Sequence, residues 1–220
     1  MKTVTIVLDA AHGINVAGKG SPAALFPDRF PNQEAYAIRE YERGRVMCRM
    51  MKELLCPLNY NVYETNTKDA EYTYKNGKPN LNKHVEVANS LPGRYKLLQS
   101  LHINAVGMGD EWKKTSLDYA VFTWPGFSPS DIMAEYDIQE VKKAFPEFNV
   151  YSEVSGKLSV ERKFTVLSGN YWATLSELLF QDVLEHAKLL KDDNFLYKYC
   201  QAKVAAIERF EEYVNKNIKK

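Results

Sequence analysis

Residues 3–13 read T-V-T-I-V-L-D-A-A-H-G: six β-branched or apolar positions, then an acid, two alanines, a histidine and a glycine. An apolar run this short and this rich in β-branched side chains suits a strand buried on both faces, as in a parallel sheet. Similar runs recur at 60–64 (YNVYE), 96–101 (KLLQSL), 119–123 (YAVFT) and 173–178 (ATLSEL). Between them, apolar residues return at three- or four-residue steps over 36–55, 82–90, 130–144, 183–190 and 195–217. The alternation predicts an α/β fold, a mostly parallel twisted sheet flanked by helices on both faces, in one domain spanning residues 1–220. Two stretches rich in glycine, proline or asparagine, 13–33 and 66–80, read as long loops, which in a compact domain usually carry or flank a site.

Composition excludes several classes of function. With 29 Lys+Arg against 28 Asp+Glu in 220 residues, the net charge of +1 gives no electrostatic basis for binding nucleic acid or an anionic membrane surface. Three cysteines, Cys48, Cys56 and Cys200, are too few for a disulfide scaffold and contain no C-x-x-C pair; they read as buried thiols in a reducing compartment. The apolar run 4–8 is broken by Asp9 and falls short of the roughly 7–15 residues of a secretory core. No stretch approaches the roughly 20 apolar residues of a membrane span. The expectation is a monomer made in the cytoplasm, without stable membrane insertion.

Only four histidines occur, His12, His84, His102 and His186. His12 follows the first strand, and the run 96–101 leads directly into His102. Ligands of open α/β sheets bind at the carboxyl ends of strands. One histidine there is ordinarily a strand-end residue bonded to backbone, but two at equivalent ends point to a metal, with zinc the commonest partner of neutral imidazole. A third ligand is expected from the helix at 39–55, whose apolar stripe holds Val46, Met47, Met50, Met51, Leu54 and Leu55. At about 100° per residue, Glu40 projects within roughly 30° of the stripe centre and Glu42 roughly 130° away. Glu42 suits the helix dipole in solvent. Glu40, aimed at the core without a basic partner on the stripe, suits a metal. Glu177 interrupts the apolar run ATLSELLF, where desolvation would raise its pKa as a general base or acid requires; the alternative is an ion pair with a buried Arg or Lys. His84 and His186 are left as structural or surface residues.

These segments, in this order, resemble the zinc-dependent N-acetylmuramoyl-L-alanine amidases of the amidase_3 group, which includes phage endolysins and bacterial autolysins. T3-V-T-I-V-L-D-A-A-H-G13 is similar to the group's opening strand with its first zinc histidine, and R39-E-Y-E-R-G-R-V46 to the helix start that carries its glutamate ligand. L81-N-K-H-V-E-V-A-N89 resembles the following helix, with His84 where an arginine is common, and L98-Q-S-L-H-I-N-A105 resembles the stretch with the second histidine. A173-T-L-S-E-L-L-F-Q-D182 is similar to the strand with the catalytic glutamate. The resemblance implies one Zn2+ held by His12, Glu40 and His102, with Glu177 as the catalytic proton carrier. The implied reaction is hydrolysis of the amide between N-acetylmuramic acid and L-alanine of the stem peptide. Peptidoglycan would be the partner, reached after release from the cytoplasm and without a separate wall-binding domain. Tyr72, Tyr74, Trp112, Trp124 and Phe127 are candidates to line a substrate groove. Another zinc amidohydrolase or carboxypeptidase acting on wall peptides, and a wall-binding module without catalysis, are the competing readings.

Overall fold

The computed structural model describes residues 2–153 and 158–218. Six strands make one sheet: β1 (Val4–Ala10), β2 (Val62–Glu64), β3 (Tyr95–Asn104), β4 (Tyr119–Thr123), β5 (Val160–Glu161) and β6 (Trp172–Phe180), in the order β2-β1-β3-β6-β4-β5. All pairings are parallel except β4 with β6. Every residue of β1 is buried, as its uninterrupted apolar run requires.

The helices are α1 (Pro22–Leu25), α2 (Glu40–Leu55), α3 (Asn82–Ser90), α4 (Pro129–Ala144), α5 (Leu184–Lys191) and α6 (Asp193–Asn217). Alternating side chains of β1 sort the core into two clusters. Val4, Ile6 and Leu8 meet Met47 and Met51 of α2, Ile138 of α4, and Ile207 and Phe210 of α6. On the opposite face Val7 joins Leu98, Leu175, Phe122 and Ala88 of α3. The two faces are therefore unequally covered: α2, α4, α5 and α6 pack on one, and α3 with the short turn Thr165–Leu167 covers the other. Asp9, Ser100, His102 and Glu177 fall on the thinly covered face, by the two-residue alternation from Val7, Leu98 and Leu175.

Several boundaries differ from the sequence reading. β3 runs through His102 to Asn104 because its pairing with β6 continues past Leu101, so His102 lies within a strand. The expected helix over 36–55 starts at Glu40: residues 34–36 form a separate turn, and Arg39 is extended where it bridges Gly20. The loop 13–33 contains α1 and the turn Pro27–Arg29. The two-residue strand β5 has too little sequence to leave a pattern. Cys48 and Cys200 are buried as expected, but Cys56 is exposed, since α2 ends at Leu55 and Cys56 caps it. Among the described residues, no helix is long and apolar enough to cross a membrane.

Candidate metal centre and its cleft

His12 lies two residues beyond β1 in a left-handed conformation (φ 52°). That turn redirects the chain over the end of the sheet and brings the imidazole edge-on to His102, with ring centroids 5.1 Å apart. Glu40 opens α2 and is 1% exposed. The helix reaches the strand ends because Gly44 presents no side chain: a Cβ there would sit 3.3 Å from the Ala10 Cβ and the Ala11 nitrogen.

The Glu40 carboxylate joins the two histidines. Its Oε1 accepts from the Ile103 amide at 3.1 Å and lies 3.2 Å from His102 Nδ1. Its Oε2 lies 3.6 Å from His12 Nε2 and 3.9 Å from Lys19 Nζ, yet is buried with no hydrogen-bond partner. Candidate ligand atoms of His12, Glu40 and His102 all lie within 4.8 Å of one another, and the three residues could hold a metal ion. Burial, reinforced by the His102 and Lys19 charges against the opposing Glu40, pulls the His12 imidazole down to about 4, so it is neutral at neutral pH with a free lone pair. Burial pushes the Glu40 carboxyl up, but His102, His12 and Lys19 outweigh it and hold the group below its ordinary value. Neutral imidazole, an anionic oxygen without a donor and a second imidazole are a donor set that a divalent cation completes. Glu42 is exposed and lies outside this group of candidate ligands.

Glu177 sits opposite His102 in the β3–β6 register. Its Oε2 is buried and unpartnered. Among the described residues no Arg or Lys ion-pairs with it, which removes the alternative of a structural salt bridge. Burial drives its carboxyl up to about 7, against the pull of His102.

His12, His102 and Glu177 open into a cleft of about 330 Å³ on the thinly covered face, walled also by Leu81, Phe164, Val166 and Leu175. The aromatic residues expected to line a groove do not line this cleft. Trp112 packs on Phe30 and Tyr36, Tyr72 stands against the His84 ring, and Tyr74, Trp124 and Phe127 are exposed elsewhere.

One wall of the cleft contains a charge cluster that sequence patterning did not single out. His84, 3% exposed, places Nδ1 2.7 Å from Asp9 Oδ1 and Nε2 2.5 Å from Glu71 Oε1. Ser100 Oγ donates to Asp9 Oδ2 at 2.6 Å, and Thr65 donates to Oδ1. Burial lowers the His84 pKa, but the two carboxylates prevail and raise it to about 10, making the ring an imidazolium. Glu71 in turn grips the segment after His12: its amide donates to Asn15 Oδ1 at 2.6 Å, and its carbonyl accepts from Asn15 Nδ2 at 3.2 Å. His186 is likewise structural, 3.2 Å from Asp118. Sequence patterning does not single out Lys19 either. The Glu40 amide donates to its carbonyl at 3.2 Å, and Gly20 bridges Arg39, so a loop lysine is fixed beside the helix start.

No family model and no curated protein matches the chain. Solved structures do. An N-acetylmuramoyl-L-alanine amidase from Clostridium difficile 630 superposes with TM-score 0.73 at 16% identity, covering 99% of this chain and 100% of that one. The catalytic domain of CwlV, an N-acetylmuramoyl-L-alanine amidase from Bacillus (Paenibacillus) polymyxa var. colistinus, gives 0.66 at 20% identity, covering 98% and 99%. The catalytic domain of the CD27L endolysin targeting Clostridia difficile gives 0.65 at 15%, covering 93% and 97%. At these identities the likeness establishes a shared fold.

Proposed function

We propose that the chain is a zinc-dependent N-acetylmuramoyl-L-alanine amidase that hydrolyses the amide joining the lactyl group of N-acetylmuramic acid to L-alanine of the peptidoglycan stem. One observation carries the reading: the Glu40 carboxylate, its Oε2 buried and unpartnered, stands between two imidazoles, and Glu177, whose Oε2 is also unpartnered, lies opposite His102 in the strand register. The shared fold with solved amidases supports it.

His12, Glu40 and His102 would hold the ion. When bound, zinc supplies Lewis acidity to the scissile carbonyl and lowers the pKa of water. Glu177 takes a proton from the attacking water at its carboxylate and delivers it to the departing alanine nitrogen. Its pKa near 7 suits a group that must accept and then release a proton at neutral pH. The His84 imidazolium and its two carboxylates keep the wall rigid and hold the loop bearing His12 in place. The thin covering of this sheet face admits a polymer from the side. A phage endolysin and a bacterial autolysin would both use this chemistry.

The test is incubation of zinc-loaded protein with purified peptidoglycan, following turbidity and new amino termini. Amidase action releases stem peptides with L-alanine amino termini; clearing without them points to a different wall hydrolase. Glu177→Ala is expected to retain zinc and lose clearing. Clearing at the wild-type rate by the zinc-loaded variant removes Glu177 from the mechanism.

A further inference from the structure

The cleft contains a cation that the reaction does not use. Lys163 lines it, and among the described residues Lys163 has no carboxylate partner. Its segment is held from both sides. The Arg162 amide donates to the Thr123 carbonyl at 2.9 Å, and the Phe164 ring meets Phe122 edge-on at 5.3 Å. The neighbouring guanidinium is already engaged: Arg162 Nη1 donates to Glu153 Oε2 at 2.9 Å. The chain thus consumes one cation of this segment in a surface pair and leaves the next at the cleft. The apolar part of the cleft lining comes from Phe164, Val166, Leu175 and Leu81. Lys163 is exposed, so its ammonium is free to meet an anionic group entering the cleft.

The other fixed charges of the wall are already satisfied. Asp9 and Glu71 share the His84 imidazolium, and Lys19 stands 3.9 Å from Glu40. Glu177, the remaining carboxyl of the cleft, is taken up by the reaction, which leaves Lys163 as the cation open to an anionic ligand group. The cleft's size matches a small-ligand site. In a stem peptide seated with its first amide at the metal centre, the second residue follows one peptide bond further along, and its α-carboxyl is free where the chain continues through that residue's side-chain carboxyl.

We propose that Lys163 is a carboxylate-recognition subsite, so that the enzyme selects stem peptides whose second residue carries a free α-carboxylate over those in which it is a carboxamide. The inference rests on the amidase reading and adds its substrate class. A carboxylate accepts charge-assisted hydrogen bonds from the ammonium; a carboxamide is neutral and offers only weaker ones.

The test uses two synthetic N-acetylmuramoyl-dipeptides that differ only in that group, acid or amide. The zinc-loaded wild type is expected to cleave the acid with kcat/KM about tenfold higher, the effect of one charge-assisted contact. Lys163→Met should raise KM for the acid, leave the amide unchanged and bring the ratio below about twofold. Lys163→Arg should keep the preference. Equal cleavage of both compounds by the wild type, or an undiminished ratio in Lys163→Met, overturns the subsite while leaving the amidase reading standing. Calorimetric binding of both compounds to zinc-loaded Glu177→Gln supplies a readout without turnover. Preferential binding of the acid without cleavage by the wild type would sustain the subsite and sink the hydrolytic reading; failure of both compounds to bind or react would sink both.

Discussion

Glu40 Oε1 lies 3.2 Å from His102 Nδ1 while the other oxygen of the same carboxylate is buried and bare. The asymmetry makes Glu40 the residue on which metal binding should turn. Zinc is expected to bind one per chain and raise Tm, by about 2.7 kcal/mol of stabilisation at a hundredfold excess over Kd. Glu40→Ala should abolish both effects, and Glu42→Ala, on the exposed side of α2, should change neither. Zinc stoichiometry by atomic absorption and thermal scans check this; the reverse pattern would dismantle the assignment.

His84 gives a pH dependence with a definite sign. Its folded pKa of about 10 lies above the unfolded value of 6.5, so the folded state retains a proton that the unfolded chain has lost. The contribution is complete below pH 6.5 and declines as the pH rises towards 10, with a slope approaching about 1.4 kcal/mol per pH unit. Asp9 acts in the opposite direction: burial raises its pKa, but His84, Ser100 and Thr65 bring it below the ordinary value, and its contribution fades as the pH falls through the aspartate range. Urea unfolding between pH 6 and 10 should show a shallower alkaline decline in His84→Gln than in the wild type. Parallel curves would mean that the ring is neutral.

The sheet's heavily covered face contains a buried ion pair, Lys203 with Asp137, both 0% exposed. Tyr119 Oη donates to Asp137 Oδ1 at 2.9 Å, and Lys203 reaches Ser176 Oγ at 3.3 Å. Lys203→Met strands a buried carboxylate and is expected to cost about 3–5 kcal/mol; Lys203→Met with Asp137→Leu should recover most of it. Denaturant midpoints of the single and double variants decide the point, and a single variant as stable as wild type refutes it.

Gly13 is fixed by close approach. A Cβ there would lie 2.1 Å from the Glu71 nitrogen, and backbone cannot yield as a flexible side chain does. Gly13→Ala should push the 66–80 segment off the residue next to His12, costing on the order of 1–3 kcal/mol in stability and weakening zinc binding. Unchanged Tm and zinc Kd would show that the contact gives way.

The parts of this fold that sequence shows are those governed by periodicity. Buried strands such as β1 declare themselves by uninterrupted β-branched runs, and the 3.6-residue period of α2 separates the directions of Glu40 and Glu42. Glu177 is conspicuous because a charge inside ATLSELLF calls for either an acid-base role or a buried ion pair. What stays hidden depends on contacts distant in sequence. Asp9, Glu71 and His84 come from a strand, a loop and a helix, and nothing in their spacing announces the cluster. Lys19 and Lys163 lie in irregular segments whose placement is set by a bridge to Arg39 and a short pairing with β4. The antiparallel turn of β4 is equally silent, because register partners are chosen in space.

The bridge between Gly20 and Arg39 also has an engineering consequence. With Ser21 donating to the Ile38 carbonyl at 3.0 Å and Ile38 donating to Ser21 Oγ at 3.0 Å, it closes the segment 22–37 at its root. The exposed tip at Pro31 and Asn32 can therefore accept an inserted peptide, tag or targeting module while the clasp keeps Glu40 in position, since lengthening a closed loop costs only about 0.6 kcal/mol per doubling.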